Sequence, residues 1–217
     1  MAAEPITHDD VYERLREAIV SGRLQPNQRL VELDLTESFG ASRSSVRTAL
    51  VRLAHDGLVV HERNRGARVR MVDVGEAVEI LEARRVLEGL AAAHAATHVT
   101  KRNVAELRRI LGEMRARLDA GDLLAASDQN GELHRRILAA SGHRTAIRLI
   151  EGLNSQIVRF QYRTILVPGR SEQSFEEHSA IVEAIAGHDP EAAETAMRAH
   201  LAHVAEALRQ RASDRAI

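Results

Sequence analysis

The chain has 217 residues, 44% hydrophobic and 2% aromatic, with a formal net charge of -1. That length exceeds a minimal nucleic-acid-binding module and suits one ordinary domain plus a smaller one, and the near-zero charge means that any polyanion-binding surface must be local. The lack of cysteine excludes disulfides and thiolate metal sites; a start at Met1 to Asp10 without basic or apolar signal regions, and no apolar run of about 18 residues, lead to the expectation of a cytoplasmic protein with no membrane span.

Residues 8–21 read as a first helix, because Val11, Leu15, Ala18 and Ile19 form one stripe and Ser21-Gly22 ends it. After a turn at Gln25-Pro26-Asn27, a short helix over Glu32 to Phe39 stops at Gly40, and Ser42 caps a third helix running to about His55. The pattern then switches to alternation, Leu58 to Glu62 and Ala67 to Val72 around a turn at Asn64-Arg65-Gly66, which predicts a β-hairpin. From there only helical period is visible, over 75–98, 101–120, 123–140, 143–166, 172–187 and 190–211. The expected fold is mainly α: an N-terminal winged helix-turn-helix over 1–72, three helices plus the hairpin wing, then an all-α six-helix bundle over 73–217.

On the third helix Val46, Ala49, Leu50 and Leu53 share one face, while Arg43 and Arg47 project together from the other, near the N-terminus. Base-reading residues of helix-turn-helix proteins sit there. An arginine fork can bond guanine O6 and N7 in the major groove, and Ser42, Ser44 and Ser45 offer hydroxyls to phosphate oxygens. From Phe39 to Arg70 seven arginines face two acids, whereas from Met1 to Ser38 four arginines face eight acids, so the basic excess lies in the recognition helix and wing. A solvated arginine face on an ordinary small domain is the bland alternative.

The segments VYERLREAIVSGRLQPNQRLVE (11–32), GASRSSVRTALVRLAHDGLV (40–59) and RGARV (65–69) resemble the GntR superfamily, in its branch with an all-helical C-terminal domain of the FadR kind (FCD). The resemblance extends over nearly the whole chain. It implies DNA contacts at Arg43 and Arg47 and a wing tip, Arg65-Gly66, reaching the minor groove, and it implies a homodimer on a pseudo-palindromic double-stranded operator. Leu33 stands where members of that family often carry arginine, and Ser45 where they often carry proline.

Eleven histidines are distributed along the chain, and their placement says more than their number. Asn130 and His134 lie four apart in the stripe of Leu123, Ser127, Ile137 and Leu138; His178 is in line with Phe175, Val182 and Ile185, and His200 with Ala193, Ala196, Met197 and Val204. His178 precedes the turn at His188 by ten residues and His200 follows Pro190 by ten, so an antiparallel hairpin sets them level. Three inward imidazoles with an amide oxygen match a first-row divalent metal such as zinc, nickel or manganese, with an open position; the alternative for any one of them is a satisfied core histidine. The resemblance implies the same site, through NGELH (130–134), EEH (176–178) and MRAH (197–200). His8, His55, His61, His94, His98, His143 and His188 read as ordinary core or surface groups.

Arg84 falls on the inner stripe between Ile80, Leu81 and Leu87, where a bare cation is costly. Either a ligand carboxylate or Glu88, one turn on, compensates it, and the resemblance implies that an acidic effector meets it. Asn154 and Gln161 are further candidates for the effector cavity. The expectation is therefore a DNA-binding regulator, not an enzyme, whose operator binding is controlled by a small carboxylic acid. A metal-dependent hydrolase, which would lack an HExxH segment here, and a constitutive DNA-binding protein with a structural metal are the alternatives.

Overall fold

The structure, a computed structural model, describes residues 7–62, 66–165 and 167–213, apart from the side chains of 158, 159, 161–163, 212 and 213. The chain divides into two compact units, Met1–Val72 and Asp73–Ile217.

In the first unit, α1 (His8–Val20) starts at a reciprocal cap in which Thr7 Oγ1 accepts from the Asp10 amide and Asp10 accepts from the Thr7 amide. Its buried stripe of Val11, Leu15, Ala18 and Ile19 packs with the Val46, Ala49, Leu50 and Leu53 face of α3 (Arg43–His55) in one core. Between them α2 (Glu32–Phe39) ends at Gly40, whose φ of 60° is left-handed, so the tight turn into the Ser42 cap of α3 needs glycine.

The wing is larger than the expected hairpin. A two-residue strand, β1 (Arg29–Leu30), pairs with β3 (Gly66–Val69), which pairs with β2 (Val59–Glu62), in an antiparallel sheet of order β1-β3-β2. Registers Leu30↔Ala67 and Val59↔Val69 place all four side chains in the core. Two residues carry no alternation to read, so β1 is set by its partner strand rather than by its own pattern. The β3 strand also stops at Val69, short of Val72.

The second unit contains α4 (Val74–His98), α5 (Lys101–Asp119), α6 (Leu123–Ser141), α7 (Arg144–Ile165), α8 (Arg170–Ala186) and α9 (Pro190–Ser213). Asp73, Thr100 and Asp122 cap α4, α5 and α6, and the Ala146 amide donates to His143 Nδ1 at the start of α7. Small residues set the packing of α4: Ala77, Ala91, Ala92, Ala95 and Ala96 are fully buried, and a Cβ placed on Gly89 would lie 2.7 Å from Arg198 Cγ on α9. The core stripes of α6, α8 and α9 include His134, His178 and His200 beside Leu133, Ile181 and Leu201. Among the described residues no helix is long and apolar enough to cross a membrane.

Candidate nucleic-acid interface and metal centre

On the outer face of α3 Arg43, Ser44 and Arg47 are exposed. Ser45 is not: it is 4% exposed, and its Oγ lies 2.9 Å from Ser42 Oγ while its amide donates to the same Ser42 oxygen at 3.1 Å. The expectation of a phosphate-binding hydroxyl there is corrected, because a serine three residues after the N-cap is drawn into the cap itself. Gly66 begins β3 at φ 85°, a left-handed value that disfavours any side chain; Arg65 lies outside the described residues. Leu33 is about half exposed, on the helix preceding the recognition helix.

The basic excess is partly neutralised by the acids that precede it in sequence. Arg47 pairs with Glu32 of α2, Nε to Oε1 at 3.2 Å and Nη2 to Oε2 at 2.8 Å. Arg52 pairs with Asp9 and stacks on the Tyr12 ring, 4.1 Å from its centroid. Arg68 donates to the backbone and side-chain oxygens of Asn27 and lies 3.1 Å from Glu62. Among the described residues Arg43 has no hydrogen bond or ion pair to its side chain. The Tyr12 phenol donates to Asp56 at 2.6 Å, and burial, then that carboxylate, push its pKa up to about 12.

In the second unit the imidazoles of His134, His178 and His200 are buried, and one ligand nitrogen from each lies within 4.8 Å of the others. Ring centroids are 4.3 Å apart for His178 and His200, and 5.3 Å for His134 to either. His134 Nε2 is 3.2 Å from His178 Nε2, close to the roughly 3.3 Å that two imidazoles keep on a tetrahedral zinc.

Two carboxylates orient the set. His134 Nδ1 lies 2.7 Å from Glu88 Oε2, and Glu88 Oε1 takes Arg84 Nε at 2.7 Å. Burial alone raises the Glu88 carboxyl, but Arg84 and His134 hold it at about 2, so it is an acceptor and His134 donates through Nδ1. Likewise His200 Nδ1 is 2.7 Å from Glu177 Oε2, an oxygen that also takes Arg170 Nη2 at 2.8 Å. Donation through Nδ1 leaves the Nε2 lone pairs of His134 and His200 available, the arrangement that positions metal-binding histidines. Burial, then neighbouring histidines and Arg170, keep the pKa values of His178 and His200 well below the ordinary range, so both rings are neutral donors.

One turn before His134, Asn130 keeps a buried Oδ1 with no hydrogen-bond partner. His178 Nδ1 and Asn154 Oδ1 are orphaned in the same way. Three buried, converging imidazoles and an unpartnered amide oxygen fit a divalent transition metal. Arg84, which sequence reasoning left between a ligand and Glu88, is paired with Glu88, with Arg84 14% and Glu88 1% exposed. The Gln161 side chain lies outside the described residues.

Sequence reasoning missed Glu177 and Arg170. Glu177 accepts from His200, Arg170 and His203, and Arg170 is 5% exposed with Nε and Nη1 unpartnered. Metal-binding histidines usually have an Nδ1 acceptor nearby, but Glu177's sequence position next to His178 does not reveal its partners, which are His200, His203 and Arg170. Of the other histidines, His143 packs edge-on against His94 at 4.9 Å, and His188 Nδ1 meets the Ala96 carbonyl at 3.0 Å.

Comparison with known proteins places the chain in a family. Residues 7–69 match the model for bacterial regulatory proteins of the gntR family, and residues 79–203, more than half the chain, match the FCD domain. The HTH-type transcriptional repressor RspR of Escherichia coli (strain K12) is 26% identical over 203 residues, 94% of this chain and 89% of its own. A probable D-xylose utilization operon transcriptional repressor of Paenarthrobacter nicotinovorans is 29% identical over 205 residues, 91% of this chain and 88% of its own. The solved structure of E. coli McbR/YncC shares the fold with a TM-score of 0.76 at 23% identity, covering 94% of this chain and 97% of its own. The hydrolase alternative finds no counterpart in these relatives. With a winged helix-turn-helix under the first family model and a histidine-lined helical unit under the second, the chain belongs to the GntR family, in its FCD-containing branch, and is a DNA-binding transcription regulator.

Proposed function

We propose that the protein is a repressor that binds a pseudo-palindromic operator as a homodimer and is controlled by a small carboxylic acid entering a metal-containing helical unit. The observation that carries this reading is the convergence of His134, His178 and His200, together with the unpartnered Oδ1 of Asn130 one turn from His134. A divalent zinc, nickel or manganese ion held by these four residues supplies a Lewis-acidic anchor for a carboxylate oxygen. Glu88 and Glu177 hold the rings in the donor orientation, and Arg84 supplies a cation one turn from Glu88. Asn154, with its orphaned Oδ1, offers a polar group for orienting the acid, and Gln161 is assigned to the same cavity from its place in the sequence. The control of operator binding requires that the acid favour one arrangement of the regulator over another. The name of repressor is taken from two relatives.

In the first unit Arg43 and Arg47 read base edges, Ser44 contacts phosphate, and the Arg65-Gly66 tip reaches the adjacent minor groove. Ser45 supports the cap instead.

Protein purified without an affinity tag is expected to contain about one transition metal per chain by elemental analysis. A carboxylic acid found by thermal-shift screening is expected to weaken operator binding and to lose its effect in Arg84→Ala. A metal-free sample that keeps a normal response to the acid would remove the metal from this reading. The Arg84–Glu88 pair favours a second reading, in which the metal is structural and the regulator constitutive. Chelation would then unfold the helical unit while no acid altered operator binding.

A further inference from the structure

Arg47 and Glu32 lie on different helices, 15 residues apart, and meet at two points, 3.2 and 2.8 Å. The hydrogen bond from Arg47 holds the Glu32 carboxyl below its ordinary value, and the neighbouring charges of Arg47 and Arg43 add to this. Both side chains are substantially exposed, 69% and 39%, so the pair contributes little to folding. Glu32 also sets a negative charge beside the helix that is to approach phosphates, which opposes DNA affinity.

The stereochemistry of the contact gives this arrangement a use. A guanidinium carries five N–H donors in one plane. Glu32 takes Nε–H and one Nη2–H, the side edge. The end edge, made by Nη1 and the other Nη2 hydrogen, stays available, and its two parallel N–H groups match guanine O6 and N7. Arg43, one turn earlier, has no such support among the described residues.

We infer that Glu32 is a specificity-determining residue of the DNA-reading surface: it holds the side edge of Arg47 so that the end edge of that arginine is presented to guanine. This rests on the assignment of Arg47 to base reading. Glu32 acts through Arg47 as a positioning residue and touches no base. It trades some attraction for phosphate against a fixed direction at one base pair.

The test is site selection by the full-length protein from a randomised duplex library, followed by competition binding with single-base variants of the selected duplex. The position read by Arg47 is the one whose preference disappears in R47A. There, replacing guanine by adenine is expected to weaken wild-type binding about tenfold or more, and E32Q is expected to reduce that discrimination to below about threefold. Affinity of E32Q for an unrelated duplex at the same salt is expected to be unchanged or higher. If R47A erases the preference and E32Q retains it, the inference is overturned while the recognition helix stands. If R47A erases no preference, the assignment of Arg47 falls and the inference with it. Uniform weakening on all duplexes with a lowered thermal midpoint in E32Q would make Glu32 a structural residue only, which also overturns the inference.

Discussion

The two units contain the same chemical pair in opposite surroundings. Arg47 and Glu32 meet in water at the DNA-reading face, and Arg84 and Glu88 meet inside the helical unit with Glu88 only 1% exposed. In water the charges are screened and already solvated, so pairing does little for stability and the contact is available to orient a donor. In the core the same contact is obligatory for Glu88, whose carboxylate has no solvent to return to. Glu88 has a third partner, His134, so the buried pair also fixes a histidine of the cluster. A surface pair can therefore be altered with consequences confined to recognition, whereas a buried one transmits any change into the fold and the histidine set together.

The strongest way to break this comparison is to remove one buried partner. Glu88→Ala leaves Arg84 and His134 without their shared acceptor and is expected to destabilise the helical unit by about 3–5 kcal/mol, measured by urea denaturation. Replacing both members, Arg84→Met with Glu88→Leu, is expected to cost less than the single change, because the guanidinium is no longer left unpaired and only His134 Nδ1 loses its acceptor. A loss below about 1 kcal/mol in Glu88→Ala would show that water reaches the pair and that the two surroundings are alike.

The helices and the histidine set were legible in the sequence, whereas the exposed half of this contrast was not. The helices were readable from the stripes of residues such as Val11, Leu15, Ala18 and Ile19, and from the Ser42 cap, because period and capping are local properties. The level placement of His178 and His200 followed from counting outward from one turn, and their rings lie 4.3 Å apart. What escaped depends on contacts between elements. Asp9 to Arg52 and Glu32 to Arg47 span three helices, and nothing local distinguishes those acids from solvated ones. Glu177 gains its role from His200 on α9 and from Arg170 seven residues back on its own helix. The strand Arg29–Leu30 is too short to have a period and is defined only by its register with Arg68 and Ala67.

Acid sharpens the comparison at a smaller scale. The folded state keeps His178 and His200 neutral well below 6.5, whereas the unfolded chain takes up protons there, so stability declines as pH falls through that value. Glu88 is lowered from 4.5 to about 2, so its contribution is complete above 4.5 and is lost as pH falls on toward 2. Both effects belong to the helical unit. Protection factors from amide hydrogen exchange on metal-free protein, each referred to the intrinsic rate at its own pH, are expected to fall between about pH 7 and about pH 5 first in α6, α8 and α9 and later in α1 and α3. Simultaneous loss of protection in both units would mean that they unfold as one cooperative body and that the buried histidines do not set the acid limit.

The smallest expected effect is also the most direct measure of the difference between the pairs. Because Arg47 and Glu32 are exposed and their contact is screened, Arg47→Ala and Glu32→Ala are each expected to shift the thermal midpoint by less than about 2 °C. Raising salt is expected to leave that small shift unchanged or shrink it further. Over the same variants, sequence discrimination is expected to fall. A midpoint lowered by several degrees would mean that the contact holds α2 against α3, and any loss of recognition would then follow from a displaced helix. An unchanged midpoint with lost discrimination assigns the contact to the direction of one guanidinium, the one structural quantity that an exposed ion pair can fix without adding measurably to stability.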